Sequence, residues 1–177
     1  GRSSAAVEGH PRRLPRLRVP PGCLGPSGQG IVAVRLAPAA VGSCPSSMVG
    51  LLVIAHGSFA ESLVACAAHV LGRRQLPVRH IGVTIYDDPD SLLPRAREAV
   101  KTIDEGAGVL VLTDMLGATP ANIATRLLVG GRVAGIAGVN LPMLVRVLTY
   151  AHMPLEAVVD KALSGGREGL TVIAPPA

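Results

Sequence analysis

Two residues of this chain have the types and settings to do chemistry together, His56 and Asp114. His56 ends the apolar run Met48-Val49-Gly50-Leu51-Leu52-Val53-Ile54-Ala55 and is followed at once by Gly57-Ser58. Asp114 ends a second run, Gly108-Val109-Leu110-Val111-Leu112-Thr113, and opens the stretch Met115-Leu116-Gly117-Ala118-Thr119-Pro120-Ala121-Asn122. A carboxylate that accepts a hydrogen bond from one imidazole nitrogen selects the tautomer and leaves the other nitrogen free as nucleophile or base. Geometry, not separation in sequence, decides whether these two residues meet.

The elements that must position them follow from periodicity. Uncharged runs rich in Val, Leu and Ile read as strands covered on both faces, as in a parallel sheet, and ligands in such folds sit at the carboxyl ends of the strands. After the first strand, Phe59 to Leu71 has helical spacing, with Phe59, Leu63, Cys66, Ala67 and Val70 on one face and Gly72 as a stop. Val78 to Ile85 reads as a second strand, and Asp87-Asp88-Pro89-Asp90 opens a helix running to about Ile103, its acids suiting the helix dipole. Beyond the Asp114 strand, Thr119-Pro120 opens another helix, with Pro where no amide donor is needed. Gly131 to Val139 reads as a fourth strand, Leu141 to His152 and Leu155 to Leu163 as helices, and Gly169 to Ala174 as a short last strand. Strands separated by helices of this length predict an α/β fold, a mainly parallel open sheet with helices on both faces.

Charge divides the chain unevenly. Residues 1 to 47 carry six Arg against one acid, Glu8, whereas residues 48 to 177 carry 11 basic and 11 acidic residues, so the net charge of +5 belongs to the first stretch. That stretch also holds seven Pro and seven Gly with little periodic apolar pattern, and is expected to be a disordered extension. It has no aromatic residue and no recognisable reading helix, so nucleic-acid binding is not expected. Its apolar segment Ile31 to Ala37 is cut by Arg35 and closed by Pro38, a poor secretory signal, and Met48 is the expected natural start. Residues 48 to 177 suit one domain with a core of Val, Leu, Ile and Ala. No apolar run reaches the ~20 residues that span a bilayer. Three Cys, two of them in the extension, offer neither a disulfide framework nor metal spacing, which fits a cytoplasmic protein.

Ile54-Ala55-His56-Gly57-Ser58 together with the segment from Thr113-Asp114 to Asn122 resembles the mannose/fructose-type IIA component of the bacterial phosphotransferase system. The resemblance spans essentially residues 48 to 177 and includes the Tyr86-Asp87-Asp88 turn and Gly138-Val139-Asn140-Leu141-Pro142-Met143. It implies that His56 accepts a phosphoryl group on Nε2 from the phosphocarrier HPr and passes it to a IIB component, with Asp114 holding Nδ1–H. Amides near Gly57, Ser58, Thr119 and Asn122 would receive the phosphate oxygens, and no metal or cofactor is required. It further implies a homodimer in which the terminal strand joins the partner's sheet, and contact with a membrane sugar permease only indirectly. One departure is Gly117-Ala118 where Gly-Gly is frequent; Ala118 tolerates positive φ less well.

Two other classes share part of this chemistry. A histidine-phosphatase-like hydrolase also uses a strand-end His-Gly, but needs an Arg just before the His, where this chain has Ala55. A regulatory interaction module would use phosphorylation of His56 to alter binding, since a phosphoryl group adds about −1.5 to −2 charges to a near-neutral surface. His69, His80 and His152 are expected to be structural or solvated.

Overall fold

In a computed structural model that describes residues 47–73 and 77–175, four strands build one all-parallel sheet. They are β1 (Gly50–His56), β2 (Val78–Val83), β3 (Val109–Thr113) and β4 (Val133–Ala137), in the spatial order β2-β1-β3-β4. The expectation for the basic extension, up to residue 46, lies outside the described residues.

The two central strands explain their own sequences. Leu51 to Ala55 and Val109 to Leu112 are completely buried, so each strand must be apolar on both faces rather than alternating. Each fully buried Leu, Ile or Val contributes about 1.5–3 kcal/mol. Odd residues of β1 (Leu51, Val53, Ala55) pack in one core with α1 (Phe59–Val70), α4 (Leu141–Tyr150) and α5 (Leu155–Glu168). Even residues (Leu52, Ile54) pack in a second core with α2 (Pro89–Ile103) and α3 (Thr119–Thr125). Helices therefore cover both faces, as the alternation of strands and helices requires.

Helix starts are built as their sequences dictate. Asp88 caps α2, its carboxylate accepting from the amides of Asp90 and Ser91. Asn140 caps α4 by accepting from the Met143 amide at 2.9 Å, while its own side-chain amide donates to the Gly166 carbonyl of α5 at 3.0 Å.

Two expectations are corrected. The buried face of α1 is Ala60, Leu63 and Ala67, whereas Phe59, Cys66 and Val70 are exposed. The helix is apolar nearly all round, so small Ala residues, which allow close approach to the sheet, decide the face. At the other end of the domain, α5 continues to Glu168 instead of stopping at Leu163, and residues 170–175 form no strand. Gly165 and Gly166 stay helical because α5 lies directly against α4 there: a Cβ on Gly166 would fall 2.6 Å from the Met143 terminal methyl. Leu170, Val172 and Ile173 stand exposed, and this segment pairs with none of the strands among the described residues.

Thr113, the last residue of β3, is buried, and its hydroxyl has no hydrogen-bond partner among the described residues. Valine has nearly the same shape without the polar group. Thr113→Val is expected to raise stability by about 1 kcal/mol, read as a higher denaturant midpoint at unchanged slope; an unchanged or lower midpoint would show that the hydroxyl is satisfied.

Candidate active site

The chain runs from β1 outward to β2 and then returns past β1 to β3, so the loops leaving β1 and β3 diverge to opposite faces of the sheet. In open α/β sheets the carboxyl ends of the strands at such a switch point are where ligands bind. The register pairs Ile54 with Thr113, which sets His56 and Asp114 side by side at that point. They make direct contact: His56 Nδ1 lies 2.8 Å from Asp114 Oδ2.

Three donors converge on the Asp114 carboxylate. Oδ2 accepts from the His56 backbone amide at 3.0 Å as well as from the ring, and Oδ1 accepts from the Met115 amide at 2.9 Å. Burial opposes ionisation of Asp114, but the His56 amide, the His56 ring and the Met115 amide together outweigh it and hold the carboxyl below the ordinary aspartate range. An ionised carboxylate accepts only, so Nδ1 carries the proton it donates, and in the neutral ring Nε2 carries the lone pair. The His56 side chain is 50% exposed and that of Asp114 18% exposed. The imidazole thus faces solvent from an anchored base.

The loop after His56 is fixed from the β2 side. The Gly57 amide donates to the Val83 carbonyl at 2.8 Å, in line with the pairing of His56 and Val83. Gly82 makes this possible, because a Cβ there would lie 2.2 Å from the Gly57 carbonyl oxygen. Residue types at the site itself do not reveal this requirement, but an isolated Gly inside a strand, between Ile81 and Val83, is the signal of a close backbone approach. The turn leaving β2 is closed by Asp87, whose Oδ2 accepts from both the Thr84 hydroxyl and the Thr84 amide at 2.7 Å. Those bonds keep Asp87 below the ordinary aspartate range.

The remaining expected site residues sit on the same rim. Gly57 and Ser58 are exposed, and Ser58 precedes α1 without using its hydroxyl as a cap. Thr119 is half-buried at the start of α3, and Asn122 is exposed one turn on, its amide bonded to the Ala118 carbonyl at 3.0 Å. Ala118 raises no difficulty: it is extended, at φ −93°, and Gly117 alone takes the positive value, φ 82°. His69, His80 and His152 are exposed and lie outside this loop cluster. Among the described residues no group of three His, Cys, Asp or Glu could hold a metal ion, and no helix is long and apolar enough to cross a membrane. Clefts lined by Met48, Gly50, Pro77 and Ile103 and by Arg79, His80 and Arg95 share no residue with the pair. His56 stands on a surface.

Fold and site define a class of α/β domain that presents one ring nitrogen of a carboxylate-held histidine at the strand ends. The family model described as the PTS (phosphotransferase system) fructose IIA component matches residues 50–163. The chain belongs to that family, whose members act as phosphotransferases of the sugar phosphotransferase system. The mannose-specific EIIAB component of Escherichia coli K12 is 30% identical over 128 residues, which are 71% of this chain and 39% of that protein. The chain thus spans about two fifths of the length of the mannose-specific relatives it matches. The transcriptional regulatory protein LevR of Bacillus subtilis is 34% identical over 116 residues, 62% of this chain and 12% of the regulator. The crystal structure of the phosphotransferase system component EIIA from Streptococcus agalactiae superposes with a TM-score of 0.63 at 25% identity, covering 71% of this chain and 97% of that one.

Proposed function

We propose that the domain is a phosphohistidine relay, in which His56 takes a phosphoryl group from phospho-HPr and hands it to a IIB component. The observation that carries this reading is the 2.8 Å bond between Nδ1 and the ionised Asp114, which in the neutral ring puts the proton on Nδ1 and the lone pair on Nε2 of an exposed side chain. In the transfer, the Nε2 lone pair attacks phosphorus, a P–Nε2 bond forms, and the P–N bond to the donor imidazole breaks in line. Nδ1 keeps its proton, and Asp114 stabilises the positive charge the ring gains. The second transfer reverses these events toward the IIB acceptor. In this reading the phosphate oxygens are received at Gly57, Ser58, Thr119 and Asn122, and the loops 56–59, 84–88 and 114–119 contain no Lys or Arg. The Gly57 and Asn122 backbone amides are bonded to the Val83 and Ala118 carbonyls, so the Ser58 and Thr119 hydroxyls and the Asn122 side chain are the groups free to share that duty. The test is peptide mass spectrometry of the full chain after incubation with phosphoenolpyruvate, enzyme I and HPr at neutral or alkaline pH. One added phosphate on the His56 peptide, absent without HPr, is the expected result; no phosphate in the presence of charged HPr counts against the relay.

A regulatory role for the same phosphorylation is favoured by one specific observation, the similarity to part of LevR. Both roles use the same site and fit a cytoplasmic setting, and they differ only in the acceptor.

The domain further acts, in this reading, as a homodimer. The exposed apolar segment 170–175 supplies strand-forming residues with no place in its own sheet, and β2 and β4 leave open edges. Removing everything after Gly169 is expected to convert dimer to monomer in sedimentation. Equal masses for the full and shortened chains would argue against exchange.

A further inference from the structure

The sheet ends on one side at β2, and the outer edge of that strand opens into a groove. The Gly57 amide donates to the Val83 carbonyl from the β1 side, so the backbone groups of Val83, and of Ile81 and Arg79 at the same phase of the strand, face β1. Those of Val78, His80 and Gly82 face outward. Outside the strand ladder, no hydrogen bond among the described residues reaches their amides or carbonyls. Arg79 and His80 form one wall of the groove, and Arg95, Glu98 and Thr102 of α2 form the other. Spacings of three and four put these α2 residues on one helical face, so that wall runs along the helix.

Charge marks the groove for an acidic occupant. Arg79 and Arg95 are exposed, and neither makes an ion pair among the described residues. The acid in the wall, Glu98, has Lys101 beside it at 4.0 Å. Arg79 shares its sheet face with Ile81 and Val83, which pack in the core formed with α2, so both guanidinium groups address the same side of a chain lying along the edge.

We propose that the β2 edge takes up an extended acidic segment of a partner protein as a fifth strand, its backbone pairing with Val78, His80 and Gly82 and carboxylates at every second position meeting Arg79 and Arg95. Charge argues against the occupants this chain supplies. A second copy of β2 would bring two Arg79 side chains to one edge, residues 1 to 47 carry six Arg and one acid, and the 170–175 segment has no acid for either Arg. Because β2 stands between an added strand and β1, docking leaves the His56 imidazole uncovered, and the proposal stands whether or not His56 carries phosphate.

The probe is a blocked heptapeptide of alternating Glu and Val, compared with its Lys/Val counterpart and with a fully N-methylated form that has no amide donors. Titrated into the full chain and followed by NMR, the Glu/Val peptide is expected to saturate, to weaken with added salt and to slow amide exchange at Val78, His80 and Gly82. The N-methylated form is expected to bind about tenfold more weakly or worse. Combining Arg79→Glu with Arg95→Glu is expected to weaken the Glu/Val peptide by about tenfold or more and to admit the Lys/Val peptide that the wild type refuses, a gain that also shows the variant to be folded. A wild type that the Glu/Val peptide does not saturate would overturn the proposal. So would equal affinity for the N-methylated form, or for the charge-reversed protein. Slow exchange at His80 in the free wild type that disappears when everything after Gly169 is removed would assign the edge to the terminal segment of a second copy instead.

Discussion

His56→Ala is expected to abolish phosphorylation of the chain by phospho-HPr, a loss of more than about 10³-fold, while leaving the fold intact. The imidazole is the one side chain held by Asp114 among the described residues, and the carboxylate's other partners are backbone amides with no lone pair to attack phosphorus. The fold does not depend on it, because the ring is half exposed and belongs to neither core. Its removal takes one of three donors from Asp114 and leaves the His56 and Met115 amides in place, so a stability loss under about 1 kcal/mol is expected. Two measurements check this together, the phosphate content of the protein by mass spectrometry and its unfolding midpoint. Phosphate on His69, His80 or His152 in the variant, or undiminished total labelling, would move the reaction away from His56. A collapsed midpoint would show that the residue is structural.

What can be read from the residues alone depends on how many faces an element buries. β1 and β3 are buried on both faces, which forces unbroken runs of four Val, Leu or Ile that no described helix shares, and so the strands and the residues at their ends stand out. α1 offers no such contrast. With Ala, Val and Cys around most of its circumference, the choice of Ala60, Leu63 and Ala67 as the inner face is made by the sheet it packs against. Residues 169–174 have strand composition, but a strand exists only where a neighbour accepts its hydrogen bonds, and none of the four described strands pairs with them. The contact between His56 and Asp114 lies between these cases. Their types and their places at strand ends are visible in the sequence, whereas their meeting follows from the register of β1 on β3 and from the order in which the chain lays down its strands. Gly82 belongs to the same category, since its need for no side chain appears only when the Gly57 carbonyl is seen against it.

Asp114→Asn separates orientation from nucleophilicity, and its expected effect is a fall in the transfer rate on the order of 10²- to 10⁴-fold with the fold retained. The carboxylate accepts from Nδ1–H and from two amides, and an Asn keeps the shape but replaces one acceptor oxygen with a donor. If the amide NH₂ faces the ring, it bonds an unprotonated Nδ1, and the proton moves to Nε2, where it blocks attack on phosphorus. If the oxygen faces the ring, the tautomer survives, but the positive charge that builds on the imidazole has lost its counter-charge. Both outcomes slow transfer, and single-turnover kinetics with phospho-HPr measure the loss directly. The acid side of the same argument carries a definite sign. Asp114 is held below its ordinary range, so its ionised form stabilises the fold above the pKa of the unfolded chain, and that contribution disappears as pH falls through the lower folded value. Wild-type stability is therefore expected to drop below about pH 4 more steeply than that of Asp114→Asn, which has no proton to take up there. Parallel acid unfolding curves for the two proteins would mean that the carboxylate is not held in its ionised form by His56 and Met115. A rate for Asp114→Asn equal to wild type would mean that His56 finds its tautomer without this partner.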